Sequence, residues 1–191
     1  GGNAMVKAAY SCGKPALGVG AGNVPAYVHK EAKLKQAVND IVLGKAFDNG
    51  MICASEQAAI VDREIYDEFI KLIKAHHVYF VNAEEKAKLE KLLFGVQAYS
   101  QDVETAKLNA VIVGKYAEDI AKMAGFEVPK GTVILAAECK EVGVNEPLTR
   151  EKLSPVLAVL KSTSTEDGIE KSRQMVEFNG LGHSAAIHTQ D

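Results

Sequence analysis

The sequence predicts an α/β fold in which a parallel or mostly parallel sheet carries helices on both faces. Apolar segments of strand length alternate with segments of helical periodicity along the whole chain. Hydrophobic residues make up 47% of the 191 residues, which is enough for a sizeable core and favours one main domain. Alternating strands and helices are typical of parallel sheets, because a crossover between parallel strands is long enough to contain a helix.

The first part of the chain contains a short helix that Gly13 ends, followed by strand–helix units. The segment PALGVGAG is predicted to be a buried strand that runs into a glycine turn. Two amphipathic helices follow, each with apolar residues at helical spacing on one buried face. The predicted elements are a helix at 4–12, strands at 15–22, 26–29 and 57–62, and helices at 34–47 and 64–76.

The alternation of strands and helices continues to the end of the chain. Predicted strands are 78–82, 109–114, 132–138, 155–162 and 184–189, and predicted helices are 83–94, one ending near Gly125 and one within 165–178. The Lys- and Glu-rich stretch between Asn82 and Lys91 is expected to be a solvated helix face, stabilised by Glu–Lys pairs at i and i+4. We therefore assign that stretch no function.

Composition excludes several classes of function. A net charge of −3 gives no basic surface for nucleic acid, and no apolar run reaches the roughly 18 residues of a membrane helix. The first residues lack a signal-peptide pattern, so the expected location is the cytoplasm. Three cysteines without CxxC spacing predict neither disulfides nor zinc, and the five histidines do not fall into ligand spacings. No metal is expected.

The most informative segment is FDNGMICASEQ, residues 47–57, where Cys53 lies in a glycine-containing loop between a helix and a strand. A thiolate can attack a carbonyl and form a thioester that a second nucleophile resolves. A lone cysteine is more often a buried structural residue, and we keep that interpretation for Cys12 and Cys139. For Cys53, composition alone does not decide between the two.

Several ordered motifs resemble the aldehyde dehydrogenase superfamily, and most closely the CoA-acylating half of bifunctional aldehyde-alcohol dehydrogenases. After the initial GG they are AMVKAAYSCGKPALGVGAGNVP, FDNGMICASEQ, EIYDEF, REKLSPVLAV and GLGHSAAIHT, and they span nearly the whole chain. The resemblance implies the three-layer catalytic domain of the aldehyde dehydrogenase fold. It also implies that residues 1–22 are a remnant of the NAD-binding domain and that 23–191 are the catalytic domain.

In that family the cysteine at the place of Cys53 attacks an aldehyde, hydride is transferred to NAD, and coenzyme A releases the acyl group. The resemblance therefore implies reversible conversion of an aldehyde, such as acetaldehyde, into an acyl-CoA such as acetyl-CoA. It also makes the backbone N–H of Cys53 a donor to the oxyanion. Hydrolytic members carry a water-activating glutamate in the motif that here reads GVGAGN, but residues 1–30 contain no carboxylate. A thiol needs less activation than water, so thiolysis by coenzyme A is favoured.

The resemblance also assigns further site residues. His183 in GLGHS is the candidate acid/base group for the proton of coenzyme A. Glu151 matches a glutamate that binds the hydroxyls of the nicotinamide ribose, and Glu146 would take this role if the alignment were shifted. His188 is expected to be structural. The glycines expected close to the cofactor are Gly1, Gly2, Gly20 and Gly22.

In the full-length proteins that the chain resembles, the family implies a homo-oligomer and helical filaments. Their fused iron-dependent alcohol dehydrogenase half has no counterpart in this sequence, and the chain is expected to lack tight NAD binding and turnover by itself. Three alternatives remain open. They are a stand-alone acylating aldehyde dehydrogenase of microcompartment type, a hydrolytic dehydrogenase, and a noncatalytic α/β module with a buried Cys53.

Overall fold

The computed structural model describes residues 3–18, 21–100, 106–179 and 181–191. Its centre is a six-stranded sheet in the order β3-β4-β5-β2-β1-β6, and every neighbouring pair is parallel. The predicted α/β fold with a parallel sheet is therefore confirmed. The strands are β1 Val24–Val28, β2 Glu56–Asp62, β3 Val78–Phe80, β4 Ile134–Cys139, β5 Val156–Ser162 and β6 Ala186–His188.

Helices cover both faces of this sheet. Alternate residues of the strands point into two separate cores, so that Tyr27 and Ile60 belong to one core and Val28 and Val61 to the other. None of the described helices is long and apolar enough to cross a membrane. The helices are α1 Asn3–Ser11, α2 Leu34–Ala46, α3 Tyr66–Lys74, α4 Ala83–Phe94, α5 Ala117–Ala124 and α6 Thr165–Asn179.

The sheet and the helices on its two faces form three layers, with one apolar core on each side of the sheet. Helices α2 and α3 pack on one face through residues such as Ile41 and Phe69. Helices α4, α5 and α6 supply the apolar residues Leu89, Ile120 and Met175 on the other face. Because both faces are covered, the central strands are almost continuously buried, as expected for a parallel sheet.

Two predicted strands are wrong. Residues 15–18 are irregular, and the side chain of Leu17 is fully exposed, so the described part of segment 15–22 is not a buried strand. Residues 109–114 form a 3-10 turn at Ala110–Ile112 instead. The Asn109 side chain accepts a hydrogen bond from the Val111 N–H, and this local bond offers the backbone an alternative to a sheet ladder.

The predicted solvated charged face on α4 is confirmed for the ion pair of Glu84 and Lys88, but the prediction is wrong for Glu90. Glu84 and Lys88 form an exposed i,i+4 pair at 2.7 Å. Glu90, in contrast, is buried, and it accepts a hydrogen bond from the Ala98 N–H. Lys86 reaches away from α4 to Glu146, with 2.6 Å between Nζ and Oε2. The loops that contain Ala98 and Glu146 cover this part of the helix, and burial raises the pKa of Glu90.

Gly168 in α6 is required for close packing of this helix on the sheet. A methyl group at this position would overlap the ring of Tyr27, which is almost completely buried. We expect Gly168→Ala to lower the free energy of unfolding by about 2 kcal/mol, although alanine is the better helix former by about 1 kcal/mol. Urea denaturation measures the difference.

Gln174→Ala is the matched control, because Gln174 lies exposed on the same helix. This change is expected to alter the free energy of unfolding by no more than about 0.5 kcal/mol. A Gly168→Ala variant as stable as the control would show that α6 can move away from Tyr27 without cost.

Candidate active site

Cys53 lies on an exposed turn that connects α2 to the amino end of β2. Helix α2 continues into a 3-10 turn at Phe47–Gly50, where three consecutive residues have positive φ. These are Asp48 at 48°, Asn49 at 51° and Gly50 at 67°. Asp and Asn tolerate this left-handed region better than most residues, and glycine adopts it freely. The sequence DNG therefore permits the sharp reversal that presents Cys53.

Contacts with neighbouring loops fix this turn. The Asn49 side chain donates a hydrogen bond to the carbonyl oxygen of Gly114, at 3.0 Å. A Cβ on Gly50 would lie 2.5 Å from the carbonyl oxygen of Ser154, so only glycine fits between these backbones. The N–H of Ser55 donates to the carbonyl of Ile52 at 2.9 Å. The turn is thus held on both sides of the thiol.

Gly22 joins the site residues from three parts of the chain. A Cβ at this position would lie 2.6 Å from the carbonyl oxygen of Cys53 and 2.8 Å from Nδ1 of His183. Its backbone N–H donates a hydrogen bond to Oε1 of Glu151, at 3.2 Å. Gly22 itself is buried. The absence of a side chain at Gly22 therefore allows the thiol turn, the imidazole and the carboxylate to approach one another.

The orientation of His183 defines which of its nitrogens can act on a ligand. The backbone N–H of Ser184 donates to Nδ1 at 2.8 Å, so Nδ1 is an acceptor. In the neutral ring the proton then lies on Nε2. His183 in this arrangement can donate a hydrogen bond through Nε2.

Glu151 is the carboxylate that lies beside the thiol turn. Burial raises the pKa of Glu151, while the Gly22 N–H and nearby His183 act in the opposite direction. Glu146 is engaged elsewhere, because its two oxygens bind Lys86 Nζ and the Lys140 N–H. The structure therefore brings Glu151, and not Glu146, to the group of predicted site residues.

The remaining sequence predictions lie outside this group. Gly1, Gly2 and Gly20 fall outside the described residues. His188 lies on β6, and burial lowers its pKa.

The two other cysteines differ in exposure. Cys139 is buried as predicted, and burial raises the pKa of its thiol to about 12. The interpretation of Cys12 as a buried structural cysteine is wrong. Cys12 follows the end of α1 and is exposed in this chain.

The sequence analysis missed a cluster of buried polar side chains that contacts the end of the thiol turn at Ser55. Lys45 and Lys152 are both completely buried, and the side chain of Gln57 lies between them. Burial lowers the pKa of Lys45 to about 7 and lowers the pKa of Lys152 well below its usual value. A signal was present in the sequence, because Lys45 lies four residues after Ile41 on the apolar face of α2.

Lys45 gives the stability of the protein a defined pH dependence. Its pKa is about 7 in the folded chain and about 10.5 in the unfolded chain, so the unfolded chain binds more protons between these values. The free energy of unfolding should then rise with pH in this window. Relative to Lys45→Met, the wild type should gain about 1 kcal/mol from about pH 7.5 to about pH 8.5, measured by urea denaturation.

Lys35→Met is the control for this prediction, since Lys35 is exposed on the same helix. Its stability should differ from that of the wild type by an amount that does not change with pH in this range. A Lys45→Met variant whose stability parallels that of the wild type at every pH would show that Lys45 stays charged in the folded chain.

The geometry can be compared with known proteins. The model of the aldehyde dehydrogenase family matches residues 1–191. The aldehyde-alcohol dehydrogenase of Streptococcus pneumoniae serotype 4 is 74% identical over 191 residues, which cover all of this chain and 22% of that protein. The chain thus spans about a fifth of the length of this curated relative.

Solved structures of aldehyde dehydrogenases are also similar to this chain. An acetylating aldehyde dehydrogenase from Geobacillus thermoglucosidasius has a TM-score of 0.90 and 44% identity, over all of this chain and 40% of that one. A Rhodopseudomonas palustris propionaldehyde dehydrogenase, solved with bound CoA and an acylated cysteine, has a TM-score of 0.84 and 28% identity, over all of this chain and 41% of that one. An engineered glycolyl-CoA reductase with bound NADP+ has a TM-score of 0.84 and 29% identity, over 100% and 41% of the two chains. The family match over the whole sequence and the shared fold establish that the chain belongs to the aldehyde dehydrogenase family.

Proposed function

We propose that this chain is the thiol-bearing part of a CoA-acylating aldehyde dehydrogenase, with Cys53 as the carrier of the acyl group. The observation that carries the proposal is the exposed Cys53 turn. Gly22 has no side chain, so the Cys53 turn, His183 and Glu151 all lie close to its backbone. The names of the relatives support the same reaction class, since they include an acetylating aldehyde dehydrogenase and a CoA-bound propionaldehyde dehydrogenase.

The first half of the proposed reaction forms a thioester. The Cys53 thiolate attacks the aldehyde carbon, and the carbonyl oxygen becomes an oxyanion that the Cys53 backbone N–H is proposed to stabilise. A nicotinamide cofactor, proposed to be NAD, would supply the acceptor for the hydride that leaves this carbon. When hydride has left, the carbonyl re-forms and the acyl group remains on Sγ of Cys53.

The second half transfers the acyl group to coenzyme A. The CoA thiolate attacks the thioester carbon, the bond to Sγ breaks, and Cys53 is regenerated as a thiolate. Residues 1–30 offer no carboxylate to activate water, which leaves thiolysis as the favoured route. In the reverse direction, Nε2–H of His183 can donate a hydrogen bond to the departing CoA sulfur and so stabilise its negative charge.

Glu151 is suited to bind the ribose of a nicotinamide cofactor. Glu151 is half-buried, and its Oε1 is already oriented by the N–H of Gly22. A carboxylate held in this way can accept hydrogen bonds from the hydroxyls of the nicotinamide ribose. Gly22, together with Gly1, Gly2 and Gly20 of the undescribed residues, is proposed to allow the cofactor to approach the backbone.

We further propose that residues 1–22 belong to the cofactor domain and 23–191 to the catalytic domain. Large apolar side chains in the first segment are exposed, with Met5 70% and Leu17 105% exposed, as expected if further cofactor-domain residues cover them.

Assembly as a homo-oligomer, including helical filaments, is proposed for the longer protein. Edge strand β6, with Ile187 58% exposed, supports a partner surface. A cytoplasmic location is proposed because all three cysteines are free thiols.

The test uses the completed dehydrogenase, meaning this chain joined to the further segments that its longer relatives carry. It is incubated with acetaldehyde and NAD, with and without coenzyme A, and the products are separated. Sustained NADH formation should require coenzyme A, with one acetyl-CoA formed for each NADH. Formation of acetate at the same rate without coenzyme A would refute the acylating reaction.

A further inference from the structure

We infer that Gln57 is a positioning residue, which fixes the Cys53 turn against the loop that contains Glu151. This inference rests on the proposed function, since it concerns the geometry of that same site. Gln57 lies in β2, four residues after Cys53, and its side chain is completely buried. The hydrogen bonds of its side chain go to Lys45, Ser55 and Lys152.

The Gln57 amide connects the thiol turn to the neighbouring loop and helix. Its Nε2 donates to the carbonyl oxygen of Ser55 at 3.0 Å, which holds the end of the turn. Its Oε1 accepts from the backbone N–H of Lys152, at 3.0 Å, next to Glu151. The same oxygen accepts from Nζ of Lys45 in α2, at 3.4 Å. One side chain therefore bonds to the segments on which Cys53 and Glu151 lie.

The orientation of this amide follows from its partners. The backbone N–H of Lys152 can only donate, so Oε1 must face it. The partner of Nε2 is a carbonyl, which can only accept. Rotating the amide by a half turn would place donors against donors, so the bonding pattern has a single solution.

Lys152 strengthens the same connection from the other side. Its buried Nζ donates to the carbonyl oxygens of Leu148 at 2.6 Å and of Arg150 at 2.8 Å, on the chain leading to Glu151. It also donates to the backbone carbonyl of Gln57 at 3.0 Å. The loop of Glu151 and strand β2 are thus joined by bonds to both the side chain and the backbone of Gln57.

The cost of this arrangement argues for a role beyond stability. Burying a lysine costs free energy, because its ammonium must lose either its hydration or its proton, and well-packed apolar residues of similar volume often give equal or greater stability. Polar networks in which the partners are bonded do, however, hold a unique geometry. Displacing a reacting group by about 1 Å can lower a rate by about 100-fold, so such precision has value at the thiol.

Two substitutions separate the two functions of the amide. Gln57→Glu keeps an oxygen for Lys152 N–H and Lys45, but it loses the donor to Ser55. In the completed dehydrogenase we expect kcat to fall about tenfold, with KM for the nicotinamide cofactor changed by less than about twofold. Gln57→Met loses all these bonds, so kcat should fall further and KM for the cofactor should rise.

A second readout does not depend on the proposed reaction. The rate of alkylation by iodoacetamide is measured for Cys53 and for the exposed Cys12 in each variant of this chain, below the unfolding temperature. The Cys53 rate should change by about threefold or more in both variants, because the reactivity of a thiol depends on its local surroundings. The Cys12 rate should stay the same, which makes it an internal control.

The outcomes distinguish the inference from the proposed function. If the wild-type dehydrogenase shows no dependence on coenzyme A while Cys53 alkylation still responds to Gln57, the proposed function fails and the positioning role stands. If both variants retain wild-type kinetics and Cys53 alkylation and only unfold at lower temperature, Gln57 is structural and the inference is overturned. The inference is also overturned if Gln57→Glu changes kcat and the KM for the cofactor by equal factors.

Discussion

Replacement of Cys53 by alanine should lower CoA-dependent NADH formation by roughly 10⁴-fold or more, as expected when the nucleophile is removed from a covalent mechanism. Cys139 cannot take its place. Cys139 is buried, and its pKa is raised to about 12, so it holds its proton at neutral pH. Steady-state NADH formation by the completed dehydrogenase, with acetaldehyde and coenzyme A, measures the loss.

Cys12→Ala is the matched control for this substitution, because Cys12 is also an exposed thiol. That variant should keep the activity of the wild type within about twofold, as expected of a residue outside the reacting group. Thermal unfolding of both variants shows that the fold is retained. An active Cys53→Ala enzyme, or an inactive Cys12→Ala enzyme, would contradict the assignment of the nucleophile.

Gly22→Ala should produce the second large effect, because the new methyl group would enter the space between two site residues. It would lie 2.6 Å from the Cys53 carbonyl oxygen and 2.8 Å from Nδ1 of His183. The backbone of the thiol turn cannot yield as a flexible side chain can. We expect kcat/KM to fall by roughly 100-fold. The free energy of unfolding should fall by about 1–3 kcal/mol, measured by urea denaturation.

Gly95→Ala separates steric overlap at the site from the general cost of replacing a glycine. Gly95 ends α4 with a φ of 73°, and a Cβ there would meet nothing within 4 Å. Its replacement should cost about 1 kcal/mol of stability through backbone strain and leave kcat/KM unchanged. If Gly22→Ala lost no more activity than Gly95→Ala, the close approach at Gly22 would have no part in catalysis.

The fold was predictable where apolar periodicity and burial agree. Strand β2 is recognisable from its short continuous apolar run and helix α2 from apolar residues at helical spacing, and both lie where predicted. The segment 109–114 has the apolar composition of a strand, but the hydrogen bond from the Val111 N–H to the Asn109 side chain favours a 3-10 turn. The resulting turn leaves Val111 61% exposed.

The pairing of charges was less predictable than the elements that contain them. Spacing alone makes Lys86 and Glu90 an i,i+4 pair on a solvated helix. In the structure Lys86 lies closer to Glu146, at 2.6 Å, than to Glu90, at 3.9 Å, and Glu146 comes from a loop more than fifty residues further along the chain. A periodic pattern within α4 contains no information about that loop.

The candidate site shows the same limit. The motif around Cys53 identifies a thiol on a loop, and the structure places that loop on an exposed turn. Contact between Gly22 and Glu151, which are separated by 129 residues, can only follow from the folded sheet. The buried Gln57 network below the turn was missed because its polar residues interrupt apolar segments without matching any motif.

The central claim is that Cys53 carries the acyl group, and trapping the thioester tests it most directly. The completed dehydrogenase is mixed with acetyl-CoA in the absence of reduced cofactor, quenched in acid, digested and analysed by peptide mass spectrometry. The acetyl group should be found on the peptide containing Cys53, and addition of free coenzyme A before quenching should remove it. Acetylation confined to Cys12 or Cys139, or an active enzyme with Cys53 unmodified, would contradict the claim.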